Sequence, residues 1–143
     1  MSMSIFFNAY KKKLTLDELC KLDTTEETKL TVYSDGLKGQ WWLVHWIENN
    51  FKESLYTYDC SGISILNKDI LIQLDTYCDD IILNGYKEDY DIVYAFNLWL
   101  IDLETEKSKI EAINIRVNKV KNFIKELLEN YNETYTYTLE YYL

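Results

Sequence analysis

The sequence predicts an α+β fold: an antiparallel sheet of about five strands packed against a long C-terminal amphipathic helix and one or two shorter helices. Two patterns and the chain length lead to this prediction. Apolar residues recur every three or four positions from Ile110 to Tyr131, as on one face of a helix, whereas residues 134–142 alternate strictly, as in a strand. The 143 residues fit a single domain, 1–143, with 48% hydrophobic residues to fill one core.

The first elements are predicted to be a strand and a short helix. Residues 4–10 are mostly apolar and aromatic and fit the first strand. Thr15 and Glu18 have the spacing of a capping box, which predicts a short helix ending near Leu22. A polar loop is expected over residues 24–27.

A β-hairpin is predicted next. Lys29–Tyr33 is rich in strand-forming residues, Ser34–Gly39 contains turn residues, and Gln40–Ile47 fits a returning strand. Both faces of this returning strand are apolar, so we expect it at the centre of the sheet, covered on both sides. Leu55–Tyr58 and Ile63–Leu66 are weaker candidates for short strands.

A helix and a long strand are predicted in the middle of the chain. Residues 68–83 have one apolar stripe at helical spacing, with Asn67 or Asp69 as the cap and Asn84-Gly85 as the stop. A polar loop follows over Gly85–Asp91. Ile92–Leu103 is almost entirely apolar and is interpreted as a long buried strand, although a helix also fits its length.

The C-terminal third gives the strongest helix prediction, from about Glu106 to Asn130. Its apolar seam fits either a helix lying across the sheet or a coiled-coil homodimer, and the presence of other elements favours the sheet. The last strand, residues 134–142, has one face of tyrosines and leucine and one face of threonines and Glu140. This alternation predicts a half-exposed strand at the sheet edge.

Composition excludes several classes of function. The formal net charge is −9, which disfavours direct binding of nucleic acid or an anionic membrane. Arg116 is the only arginine, so a phosphate-binding role is not expected. The three cysteines are widely spaced, and no signal peptide or membrane span is recognisable, which together indicate reduced thiols in a cytoplasmic protein.

The negative charge is concentrated in one segment. Residues 69–106 hold ten acidic residues and a single lysine, and so carry a charge equal to the net −9 of the whole chain. The densest part surrounds the polar loop, where two tyrosines are interleaved with the acids, as in interface anchors. The predicted partner-binding residues are Asp79, Asp80, Tyr86, Glu88, Asp89, Tyr90 and Asp91. The competing interpretation is that this segment pairs internally with the basic stretch 107–125 or forms a solvated face.

No catalytic or metal-binding constellation is recognised, and no cofactor is predicted. His45 is the only histidine and lies in an aromatic segment that is typical of a core. Cys60 stands beside a glycine turn without a recognisable base. The Asp75 and Asp79 pair is expected to be exposed, and the acids of the polar loop lack the spacing of a calcium loop.

These observations favour a non-enzymatic inhibitor that binds a basic protein surface. Codons rich in A and T dominate the composition, which indicates a phage, a mobile element or a low-GC bacterium as the source. An acidic array of this kind would compete for the nucleic-acid groove of a host defence nuclease by mimicking nucleic-acid charge. The alternatives are a toxin-immunity protein, a small enzyme of unrecognised type, and a scaffold that dimerises through the seam.

Overall fold

The computed structural model describes residues 3–21, 29–33, 37–99 and 105–142. The predicted helix end at Leu22, the predicted loop over 24–27, the first half of the predicted turn (34–36) and the end of the predicted strand (100–103) lie outside these residues. Within the described residues, the strands are β1 (Ser4–Tyr10), β2 (Lys29–Tyr33), β3 (Leu55–Tyr58), β4 (Ser61–Ile65) and β5 (Thr136–Tyr142). The helices are α1 (Leu16–Lys21), α2 (Trp41–Asn50), α3 (Lys68–Asn84), α4 (Ile92–Ala95) and α5 (Glu106–Glu129).

The strands form one antiparallel sheet in the order β2-β1-β5-β4-β3. The predicted α+β class, with the long C-terminal helix, is therefore confirmed. The prediction that residues 134–142 form a half-exposed edge strand is wrong, because β5 pairs with β1 on one side and β4 on the other. Pairing on both sides satisfies its backbone groups, and both faces of the strand are buried.

One face of the sheet carries the main core. Side chains at odd positions of β1 and β5 point toward helices α2, α3 and α5, and Phe7 packs on Phe123 with 5.1 Å between ring centroids. Along α5, Val117, Val120 and Ile124 are almost fully buried. The predicted seam is thus occupied within the chain, except near Ile110, which is 52% exposed. Most of the seam is therefore not available to pair with a second copy.

The other face of the sheet holds a buried polar cluster around Glu140. This carboxylate is 2% exposed and accepts hydrogen bonds from Asn8 Nδ2, from Tyr10 and Thr138 at 2.8 Å each, and from Tyr142 at 2.8 Å. The even-numbered, polar positions of β5 therefore face protein donors. That arrangement explains how a strand with a polar face lies at the sheet centre.

The predicted strand Gln40–Ile47 is instead the helix α2. A run of apolar residues on all sides does not distinguish a buried strand from a buried helix. In the helical form, Trp42 and Trp46, four residues apart, reach the core together, and Trp42 stacks on Phe96 with 5.5 Å between ring centroids. Burial of these rings outweighs the strand preference of tryptophan and valine.

The predicted long strand from Ile92 is also wrong. The segment begins with the single-turn helix α4, because the Asp91 side chain accepts hydrogen bonds from the amides of Val93 and Tyr94. The chain leaves the helix through Asn97, whose φ of 52° lies in the left-handed region that asparagine tolerates. The cap at Asp91 and the turn at Asn97 therefore exclude a continuous strand over residues 92–99.

The predicted hairpin is also wrong, because β2 pairs with β1 instead of with residues 40–47. The predicted helices at the capping box and over residues 68–83, and the short strands near residues 55–66, agree with the structure. α1 ends at Lys21, Asn67 caps α3 by accepting a 2.9 Å hydrogen bond from Ile70, and α3 ends at Gly85 with φ of 84°. β3 and β4 form a hairpin. Among the described residues, no helix combines the length and apolar character needed to cross a membrane.

Candidate partner-binding surface

The helix α3 turns two of its acids toward α5. Lys121 Nζ lies 2.8 Å from Asp79 and 3.1 Å from Asp75, and the hydrogen bonds that it donates to these carboxylates raise the pKa of the Lys121 ammonium. Internal pairing of the acidic segment with the basic helix, the competing interpretation, therefore holds for these two acids. Asp79 remains half-exposed, but part of its charge is neutralised within the chain.

Asp80 is placed differently, although it adjoins Asp79. Its carboxylate is exposed and accepts a 2.8 Å hydrogen bond from Asn84 Nδ2 one turn later. No ion pair joins it to any described residue. No described cation therefore neutralises Asp80 at the surface.

The loop between α3 and α4 carries the other predicted acids. Glu88 and Asp89 are exposed and have no ion pair with a described residue. Asp91 is exposed as well, but its carboxylate is engaged as the cap of α4. Within this loop, the uncompensated charge is consequently concentrated on Glu88 and Asp89.

The two loop tyrosines pack inward and fix the loop to the core. Tyr86 meets Phe96 edge-on, with 4.9 Å between ring centroids and 89° between the planes. Tyr90 stacks on His45 at 3.7 Å and accepts a 3.2 Å hydrogen bond from Asn49. Both rings are half-buried, so they position the acids, and their predicted contact with a partner stays a prediction.

The Tyr77 phenol is close enough to both Asp80 and Glu88 for their charges to act on it. Burial raises the pKa of the Tyr77 phenol, and the nearby groups of Tyr86, Glu88 and Asp80 raise it further. Negative charge from α3 and from the following loop therefore acts on the same Tyr77 ring. The two carboxylates act on one region of the surface although they are eight positions apart in sequence.

A mainly apolar cleft of about 330 Å³ adjoins the exposed acids Asp80, Glu88 and Asp89, which we call the acidic cluster. It lies between the C-terminal end of α3 and the N-terminal part of α5, and its wall includes Tyr86 from the loop. Leu83 and Ile110 line it and are 80% and 52% exposed. The other lining residues among those described are Ile81, Ile82, Asn84, Gly85, Ile92, Glu106, Lys109, Ile113 and Asn114. Large exposed apolar side chains at a cleft are typical of an interaction site.

The sequence did not identify Leu83 and Ile110 as site residues. Leu83 falls outside the apolar stripe of α3. A leucine on the polar side of a helix does not enter the core, and this position was the only signal in the sequence that could have identified Leu83. Ile110 belongs to the seam by spacing, but it lies at the open end of α5, beyond the packed part. Their proximity depends on how the two helices meet, which periodicity does not determine.

The residues considered for catalysis lie on separate elements. His45 is on α2, Cys60 is exposed at the β3–β4 turn, and Asp79 is on α3. Burial lowers the pKa of the His45 imidazole against the opposing effect of Glu48, and neither ring nitrogen has a hydrogen-bond partner among the described residues. No group of three or more potential metal ligands occurs within the described part of the chain. Within the described ranges, His45, Cys60 and Asp79 are not paired with any neighbouring group that would activate them for catalysis.

Comparison with known proteins does not add to this picture. No protein-family model matches the chain, and neither the curated proteins nor the solved structures yield a significant match. The acidic cluster (Asp80, Glu88 and Asp89) and the adjoining cleft are therefore assigned from the geometry of this chain.

Proposed function

We propose that this chain is a non-enzymatic acidic protein that binds a basic site on another macromolecule and blocks it. The supporting observation is that Asp80, Glu88 and Asp89 are exposed without an ion pair to any described residue, beside the apolar cleft. Charge of one sign attracts and orients a basic partner, and desolvated apolar contacts then hold it. The surface offers both exposed negative charge and exposed apolar side chains.

The partner class follows from the chemistry of the surface. Nucleic-acid grooves of nucleases are lined with lysine and arginine, and carboxylates on a folded scaffold compete for them as phosphate mimics. We therefore infer a host defence nuclease, or a similar nucleic-acid-binding protein, as the target of an inhibitor encoded by a phage or mobile element. Asp79 and Asp91 contribute less charge, because Lys121 and the α4 amides already engage them.

Two ring contacts that anchor the loop support the proposal. Tyr86 and Tyr90 fix both ends of the acidic stretch by ring contacts, so Glu88 and Asp89 are held between two anchored points. A preorganised array loses less conformational entropy on binding than a flexible acidic tail. This difference favours recognition of a defined groove over unspecific attraction to any cation.

The experiment is capture of partners by the immobilised chain from extract of the cell that encodes it, at low and at high salt. We expect a basic nucleic-acid-binding protein whose capture weakens as salt rises, because salt screens exposed charges. The identity of the captured protein also separates a defence nuclease from a toxin, which an immunity protein would block through the same surface.

Charge reversal assigns the capture to the acidic cluster. The triple variant Asp80→Lys, Glu88→Lys and Asp89→Lys should lose the partner while its circular dichroism spectrum and unfolding midpoint stay near those of the parent. A matched control reverses three exposed acids elsewhere, Glu53, Glu129 and Glu133, and changes the net charge equally. Equal losses in both variants would show that only overall charge matters, and equal retention would remove the acidic cluster as the site.

A further inference from the structure

A second pocket, of about 240 Å³, lies elsewhere on the molecule and has the opposite charge. Its described lining comprises Lys38, Gln40, Asn97, Ile115, Arg116 and Lys119. Three of these six side chains are cationic, and none of the six is acidic. On a chain with a net charge of −9, such a local reversal needs an explanation.

Three separate segments meet closely to build this pocket. The side chain of Asn97 covers Gly39, so that a Cβ added at Gly39 would stand 2.8 Å from it. Asn97 Nδ2 donates a 3.2 Å hydrogen bond to the Lys38 carbonyl, and the buried Gln40 donates a 3.3 Å hydrogen bond to the Phe96 carbonyl. The turn before α2 and the turn after α4 are thereby locked together.

Both turns use unusual backbone conformations. Gly39 has φ of 74° and Asn97 has φ of 52°, both in the left-handed region, which glycine adopts freely and asparagine tolerates. The hydrogen bonds across the two turns hold these conformations in place.

The only arginine of the chain forms the third wall. Arg116 Nη1 donates to the Ala112 carbonyl at 3.1 Å and Nη2 donates to the Asn97 carbonyl at 3.4 Å. These bonds orient the guanidinium, which carries more N–H donors than these two. Lys38 and Lys119 are exposed and form no ion pair with a described residue.

We propose that this pocket is a binding site for a small oxyanion ligand, one that carries a phosphate or carboxylate group. An oriented guanidinium, flanked by two lysines that have no ion pair with a described residue, matches that chemistry. Composition argued against phosphate binding because arginine is so rare in the chain. The fold, however, places that single arginine in a preformed pocket. This site is independent of the acidic cluster.

The test is a titration of the full chain with inorganic phosphate and, separately, with citrate, followed by the backbone amide NMR signals of Gly39, Asn97 and Lys119. Sodium chloride at equal ionic strength is the reference. We expect saturable shifts confined to the pocket with at least one of the two anions. Saturation by phosphate alone assigns a phosphate-bearing ligand, and saturation by citrate alone assigns a carboxylate-bearing one.

Variants decide whether the shifts report this site. Lys38→Gln with Lys119→Gln should weaken binding about tenfold, whereas Lys52→Gln with Lys125→Gln removes the same charge from exposed lysines outside the pocket and should leave it unchanged. Arg116→Gln should abolish binding, and the lysine pair keeps the test decisive if that variant does not fold. Shifts that do not saturate, that chloride reproduces, or that both lysine pairs weaken equally would overturn the proposal.

Discussion

Replacement of Glu140 by leucine tests how a charged side chain is accommodated at the centre of the sheet. The carboxylate is the shared acceptor of four donors and has no cationic partner among the described residues. Leucine is close to it in size but accepts no hydrogen bond. The variant therefore removes the acceptor while it preserves most of the packing.

The expected cost follows from what happens to the donors. Tyr142 is half-buried and can turn toward water, whereas the buried side chains of Asn8, Tyr10 and Thr138 lose this acceptor. Each buried unpaired donor costs about 1–3 kcal/mol, and the apolar gain from leucine offsets part of the sum. We expect Glu140→Leu to lower the free energy of unfolding by about 3 kcal/mol, against a usual total of about 5–15 kcal/mol.

The pH dependence gives an independent check on the same cluster. Burial raises the pKa of the Glu140 carboxyl, but the hydrogen bonds from Asn8, Thr138, Tyr142 and Tyr10 outweigh burial and hold the pKa below its usual value. A depressed pKa in the folded state stabilises the fold above the unfolded-state pKa, and this stabilisation is lost as pH falls through the folded-state pKa. The difference in stability between parent and Glu140→Leu should therefore shrink in acid.

Urea unfolding of the parent, Glu140→Leu and Glu140→Gln at neutral and acidic pH provides the measurement. Glutamine keeps one acceptor oxygen and should cost about half as much as leucine, because hydroxyl donors reorient around an amide. A leucine variant within about 0.5 kcal/mol of the parent at neutral pH, the usual range for a surface substitution, would refute the assigned role of the cluster.

Two further predictions concern the core. Gly62→Ala should lower the free energy of unfolding by about 2 kcal/mol, because the added Cβ would lie 2.4 Å from the ring of the buried Tyr141. Urea titration measures this change, and an unchanged unfolding midpoint would contradict the close approach of the two residues. Cys78 should resist a thiol reagent at pH 8 until the protein unfolds, because burial raises the pKa of its thiol to about 12. The exposed Cys20 and Cys60 should react in the folded protein, and simultaneous reaction of all three thiols would contradict this assignment.

Sequence periodicity predicted the elements that have one apolar face. α3 and α5 repeat at helical spacing, and β5 alternates, so each pattern indicates one type of secondary structure. Periodicity did not predict the helix α2, because apolar residues occupy all sides of this segment. Burial of its tryptophans favours the helix over the strand. Periodicity also failed to place β5 within the sheet, because the donors that satisfy Glu140 come partly from β1, at the other end of the chain.

The candidate surface was only partly predictable for a related reason. Counting charges located the acidic segment, but which acids remain unpaired depends on where Lys121 lies relative to Asp75 and Asp79. The cleft beside them, with Leu83 and Ile110, exists only once α3 and α5 are packed. Pairing and clefts arise from tertiary contacts, which neither charge counts nor helical spacing encode.

Amide hydrogen exchange of the chain, alone and bound to its captured partner, tests the central claim most directly. The proposed function predicts slower exchange in the complex over residues 80–91 and in the first turns of α5 near Ile110, with little change along the edge strand β3. Protection that appears instead at β3 or across the opposite face of the sheet, with residues 80–91 unaffected, would contradict the assignment of the acidic cluster and cleft as the binding surface.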